Sequence, residues 1–243
     1  MNREFTTKIT PVSRVLLIAA LAGCGGGDRV QEVEAQPELA TPRPNVVLIT
    51  LDTTRADRIG SYGYEAARTE TLDTIAARGT RFANAYAPMP LTIPSHATMF
   101  TGLNPYNHGV RSNSTSVLQD DFTTLAEVLQ GTGYNTAASV AAFVTSESWG
   151  FSQGFDVYLD DIPRNPARSG RNEWKEERSA NLVIDDALRW WEHGRDDENS
   201  SFLWVHLFDA HKPLVPPPEY LGEGIRPYDA EIAYIDVQIQ RLV

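Results

Sequence analysis

Pro90-Leu-Thr-Ile-Pro-Ser-His-Ala-Thr-Met-Phe-Thr-Gly102 sets two hydroxyls, Thr92 and Ser95, and the imidazole of His96 within five positions. A hydroxyl can attack an ester centre, and an imidazole can move a proton or contact an anion. The segment also reads as a helix with ordinary ends. Pro94 suits the first turn, where its missing N–H costs nothing, and Gly102 suits the residue just past the last turn. Thr92 would then sit just ahead of the helix, where free N–H groups and the dipole favour an anion. Capping and catalysis are served equally by that geometry.

Two apolar runs supply further chemistry. Asn45-Val-Val-Leu-Ile-Thr-Leu-Asp52 predicts a strand buried on both faces, with Asp52 emerging at its carboxyl end. Open α/β sheets bind ligands at that edge, so Asp52 is a site candidate. Ser201-Phe-Leu-Trp-Val-His-Leu-Phe-Asp209 repeats the design, with His211 two residues beyond. Asp209 and His211 could bind a metal or contact an anionic group; a turn-forming Asp with a His packed beside Pro213 fits the pattern equally. His206 alternates with apolar neighbours and reads as a core histidine. His108 reads as ordering its loop, and His193 as lying at a helix end.

The elements that must position these groups alternate in type. Leu72, Ile75 and Ala76 share a helical face that ends at Gly79. Thr124-Leu-Ala-Glu127 is a capping box opening a helix to about Gly131. Thr136 to Val140 is a second strand, and Ser179 to His193 is a helix with an apolar stripe through Val183, Ala187 and Trp191. A last helix starts near Tyr228, and the chain is expected to stop inside it, without a Gly or Pro signal. Strands alternating with helices predict an α/β domain with a largely parallel central sheet flanked by helices. Asn165 to Lys175 reads as a polar surface loop.

The chain has 243 residues and a formal net charge of −11, with 42% hydrophobic residues. That balance argues against a nucleic-acid-binding protein, which would normally show a basic patch, so no nucleic-acid partner is expected. At the N-terminus, Arg3, Lys8 and Arg14 precede an apolar run, Val15 to Ala22, too short to span a bilayer. Leu21-Ala-Gly-Cys24 looks like a bacterial lipobox, whose Cys becomes the lipidated first residue. Residues 1–23 are therefore expected to be a lipoprotein signal peptide, 24–44 a flexible tether, and 45–243 the folded domain. The expected location is the bacterial cell envelope, anchored to a membrane through Cys24. Cys24 is the only cysteine, which excludes an internal disulfide framework.

The order of the motifs resembles the N-terminal half of sulfatases, in the alkaline phosphatase superfamily. It is carried by Asp52-Thr-Thr-Arg-Ala-Asp57, Thr92-Ile-Pro-Ser-His-Ala-Thr-Met-Phe-Thr-Gly102 and Asn104-Pro-Tyr-Asn-His-Gly109. Gly133-Tyr-Asn-Thr136, Gly154-Phe-Asp-Val-Tyr158 and Asp209-Ala-His-Lys-Pro213 are later landmarks. The resemblance implies a nucleophile at Thr92 beside a divalent cation, calcium or zinc, that Asp52 helps to bind. Thr92 and Asp209 are the further candidate ligands. His211 is a candidate for the ester or leaving group, and Ser95 and His96 are candidates for substrate contact.

The departures shape the expected chemistry. Sulfatases carry Cys or Ser at the Thr92 position, oxidised to formylglycine, and Arg where His96 stands. Thr cannot give that aldehyde, because its β-carbon bears a methyl group. Thr53 replaces the second of two paired acids, and Ser139-Val-Ala-Ala-Phe143 replaces a Gly-Lys-x-His segment. The expectation is a metal-dependent hydrolase of sulfate or phosphate esters using Thr92 directly. A non-catalytic envelope protein using the fold for binding is the alternative. Further metal ligands are expected beyond Val243, making this chain the front half of a longer enzyme, inactive and a poor metal binder alone.

Overall fold

The computed structural model describes residues 43–162 and 177–243. Residues 1–42, with the expected export signal, Cys24 and most of the tether, lie outside the described residues, as does the expected loop at 165–175. Strands β1 (Val46–Leu51), β2 (Asn135–Val140), β3 (Val157–Leu159) and β4 (Ser201–Leu207) form one sheet in the order β1-β4-β2-β3. All three pairings are parallel, as the alternation of elements predicts.

β4 is central, and every one of its residues is buried. Thr50 of β1 and Val140 of β2 both stand in register with His206. Side-chain alternation sends Trp204 and His206 to one face and Val205 and Leu207 to the other. The first face receives α2 (Thr92–Thr101). Thr92, His96 and Phe100 recur every fourth residue, so they form one stripe along that helix. Phe100 meets Trp204 edge-on at 4.7 Å between ring centroids, and His96 lies 5.0 Å from His206. This aromatic contact presses the start of α2 onto the carboxyl edge of β1 and β4.

Four longer helices and one short helix complete the described fold: α1 (Glu70–Arg78), α3 (Pro105–His108), α4 (Leu125–Gly131), α5 (Ala180–His193) and α6 (Pro227–Gln240). The second face of the sheet receives α5, where Ser139 Oγ donates to the Val183 carbonyl at 2.9 Å. The Thr124–Glu127 capping box is formed at the start of α4. β3 and α3 are short and were not predicted from periodicity.

α6 ends at Gln240, before the end of the chain, which corrects the expected run-out. The Arg241 N–H turns back to the Gln238 carbonyl at 3.1 Å, so a tightened last turn replaces the missing Gly or Pro. No helix among the described residues is long and apolar enough to cross a membrane.

Candidate active site

β1 delivers Asp52 to the sheet edge. Its N–H donates to the Leu207 carbonyl at 2.9 Å, carrying the β1–β4 ladder one step beyond the strand. The chain then leaves sharply at Thr53, whose φ of 52° lies in the left-handed region that β-branched residues seldom enter. Two contacts hold that turn. Thr53 Oγ1 donates to the Ala210 carbonyl at 2.9 Å, and Tyr228 Oη donates to the Thr53 carbonyl at 2.6 Å.

Beside Asp52, His206 has no exposed side-chain surface, and its Nε2 lies 3.4 Å from Asp52 Oδ2. Burial works to raise the Asp52 carboxyl. The hydrogen bond and charge of His206, with smaller contributions from His96 and the Thr92 hydroxyl, outweigh it and hold the group below its ordinary value. Asp52 is therefore a carboxylate near neutral pH.

Thr92 is the first residue of α2, not the residue ahead of it, and the cap position falls on Leu91, which has no side chain to offer. Asn113 takes over the capping, accepting the Ile93 N–H at 2.9 Å from a loop after α3. The Thr92 hydroxyl is thus not used as the helix cap; it lines the same cavity as Asp52 and contributes to lowering that carboxyl. Ser95 lines the same cavity, about 670 Å³ in volume, together with Asp52, Thr92, His96, Asn113 and His211.

His96 is buried under this floor. Its Nδ1 meets the Thr92 carbonyl at 2.8 Å and its Nε2 meets Thr50 Oγ1 at 3.2 Å. Thr50 Oγ1 in turn accepts the Trp204 Nε1–H at 3.0 Å. Burial, then the neighbouring His206, pulls the His96 pKa down to about 4, so the ring is neutral near pH 7. His211 stacks on Phe208 at 4.2 Å, and its Nδ1 bonds the Lys212 carbonyl at 2.8 Å.

Asp209 goes elsewhere. It does not line the cavity; its Oδ1 accepts the Ala180 N–H at 3.0 Å, at the N-terminus of α5, where the helix dipole favours a carboxylate. Burial nevertheless pushes its pKa up. Glu177 and Glu231 are pushed up to about 7, by burial first and by the charge of Asp209 as well. Of the expected site residues, the structure gathers Asp52, Thr92, Ser95, His96 and His211 and leaves Asp209 aside. Sequence reasoning passed over His206, Thr50, Trp204 and Asn113. Only His206 carried a signal, being separated from Asp209 by two residues on the same strand run. Among the described residues, Asp52, His96 and His206 are the one group of three whose ligand atoms lie within 4.8 Å of one another.

A carboxylate and a helix-borne hydroxyl share one cavity at the carboxyl edge of a parallel sheet, the edge at which open α/β sheets bind ligands. Comparison with known proteins narrows this. The family described as Sulfatase matches residues 44–243, and the chain belongs to the sulfatase family. It is 28% identical over 227 residues to an N-acetylglucosamine-6-O-sulfatase of Bacteroides thetaiotaomicron, covering 88% of this chain and 38% of the relative. It is 31% identical over 229 residues to a ulvan-active sulfatase of Formosa agariphila, covering 87% and 44%. The chain thus spans less than half the length of these relatives. A structure solved with its substrate D-glucosamine-2-N,6-O-disulfate aligns with a TM-score of 0.62 and 27% identity, over 74% of this chain and 37% of that one. The phosphonate monoester hydrolase of Agrobacterium radiobacter shares the fold, with a TM-score of 0.65 and 18% identity over 82% and 58%.

Proposed function

We propose that this domain carries the nucleophile half of a metal-dependent sulfate- or phosphate-ester hydrolase in which Thr92 attacks directly. The observation that supports this most is that Thr92 and the Asp52 carboxylate line one cavity, with capping of the helix already supplied by Asn113. A divalent cation bound at Asp52 would lower the pKa of the hydroxyl and offset charge on the ester oxygens.

The chain's own residues do the rest. Asp52, ionised near neutral pH, accepts from the Thr92 hydroxyl and aims it. The first turn of α2 directs its dipole at the transferring group. Thr92 Oγ1 gives up its proton to solvent as it bonds to sulfur or phosphorus, the leaving oxygen departs and takes a proton from water, and a second water then hydrolyses the Thr92 ester, restoring the hydroxyl. His211 lines the same cavity and would contact the ester or leaving group, its ring held by Phe208 and the Lys212 carbonyl. Ser95, one turn along, contacts the ester oxygens. His96, below the surface, acts through the Thr92 carbonyl instead of touching substrate.

Thr92 cannot yield formylglycine, so the reading favours phosphate over sulfate esters. The Cys24 lipobox adds that the protein is exported and held at a membrane of the cell envelope by a lipid anchor. The experiment is a panel of aryl sulfates, phosphomonoesters and phosphodiesters offered to the full-length protein and to Thr92→Ala. Turnover highest on a phosphate ester and lost by about a hundredfold in Thr92→Ala is expected. Equal turnover by both proteins rejects the role of Thr92.

A further inference from the structure

We propose that Asp52, His96 and His206 form a two-histidine, one-carboxylate site for a zinc-class cation, in place of an all-oxygen calcium site. The inference rests on the reading of Asp52 as a cation ligand and adds the identity of its partners. The donor set follows from where the protons must be. His206 Nδ1 lies 3.3 Å from Thr145 Oγ1, whose own hydroxyl proton goes to the Ala142 carbonyl at 2.9 Å. Thr145 Oγ1 therefore accepts, and His206 Nδ1 carries the hydrogen. In His96, Nδ1 faces the Thr92 carbonyl, which can only accept, so Nδ1 carries the hydrogen there too.

Both rings thus turn a lone pair on Nε2 inward while donating outward to fixed acceptors. Metal-ligating histidines are oriented in this way. His206 Nε2 stands 3.4 Å from an Asp52 oxygen; a proton between them makes the hydrogen bond that lowers Asp52, and a cation would take that proton's place. Two ligands of a tetrahedral zinc with bonds of about 2.0–2.1 Å stand roughly that far apart.

Calcium fits poorly. It takes about six to eight oxygens at longer distances, and this set offers one carboxylate. The acid that would add oxygens is Thr53, whose hydroxyl is turned away to the Ala210 carbonyl. His96 Nε2 would exchange its hydrogen bond from Thr50 Oγ1 for the cation. An imidazole nitrogen from each of His96 and His206 and an oxygen of Asp52 would give three protein ligands. Three is the number catalytic zinc sites use, so the expected shortage of ligands in this chain is met from within it.

The test is a cobalt(II) titration of the full 243-residue chain, followed by zinc displacement and X-ray absorption of the zinc form. The expected result is one equivalent bound with tetrahedral visible bands, two imidazoles in the zinc shell, and no displacement by excess calcium. His206→Gln should lose one imidazole and about a hundredfold or more in affinity. Because the shell is read on the unaltered chain, the result does not depend on a variant folding. No saturable binding, an imidazole-free shell, or displacement by calcium overturns the proposal. A two-imidazole shell in this chain with no ester turnover by the full-length protein keeps this site and rejects the hydrolase; turnover by the full-length protein with an imidazole-free shell does the reverse.

Discussion

Trp204 Nε1–H donates to Thr50 Oγ1 at 3.0 Å, and the same oxygen lies 3.2 Å from His96 Nε2, so one strand hydroxyl links the centre of the sheet to the helix that carries Thr92. Thr50→Val keeps the shape and strips both partners. It leaves an indole N–H and an imidazole nitrogen buried, at a combined cost of about 2 kcal/mol or more. Thermal unfolding should fall by several degrees, and Thr50→Ser should restore most of the loss. A Val variant as stable as the parent would remove the hydroxyl from the account.

Thr53 combines an unfavourable backbone angle with a position next to Asp52. Aspartate tolerates the left-handed region better than a β-branched residue. Thr53→Asp should therefore keep the backbone turn, at the cost of the hydroxyl's bond to the Ala210 carbonyl, and add oxygen ligands to the site. Affinity for calcium should rise by about tenfold or more relative to zinc, measured by competitive calorimetric titration. An unchanged preference would show that residue 53 does not face the cation.

The carboxyls of Glu177 and Glu231 sit at about 7, against an ordinary 4.5, in the folded protein. Raised acids hold their protons more tightly folded than unfolded. Their favourable contribution is therefore full below about 4.5 and is lost as pH rises to about 7, with no further change above. Glu177 is partly open to solvent, so screening reduces its share, whereas Glu231 is buried. Melting temperature should decline across that window, and Glu177→Gln should flatten the decline. Glu231→Gln retains an oxygen for the Val215 N–H and should flatten it likewise. A parent curve that is flat or rising across the window would contradict the shared burial and repulsion.

Cys24 tests the expected anchoring separately from the chemistry. The mature chain should begin at Cys24 and carry more than one acyl chain, since a single chain binds membranes only marginally. Intact mass of the membrane fraction reads this directly. A free thiol at Cys24 in a soluble fraction would reject it.

Much of this site was legible because it rests on local rules. Asp52 follows a continuous apolar run, Gly102 has the positive φ of a helix stop, and Thr124 with Glu127 makes its capping box within four residues. What stayed hidden depends on partners far along the chain. His206 read as core because a strand buried on both faces has no sidedness in sequence, and its meeting with Asp52 is set by the β1–β4 register. Asn113 caps α2 across 20 residues, leaving no short-range mark. Asp209 ends its run as Asp52 does, yet its Oδ1 receives the Ala180 N–H at the start of α5. The same sequence pattern thus gave one cavity carboxylate and one helix cap.

The central claim, that Thr92 attacks the ester itself, is tested most directly by quenching the full-length protein during turnover and mapping the adduct by peptide mass. The account predicts one phosphoryl or sulfuryl group on the peptide containing Thr92, localised to its side chain and absent in Thr92→Ala. An adduct on Ser95, or rapid turnover with no adduct and an undiminished rate in Thr92→Ala, would contradict it.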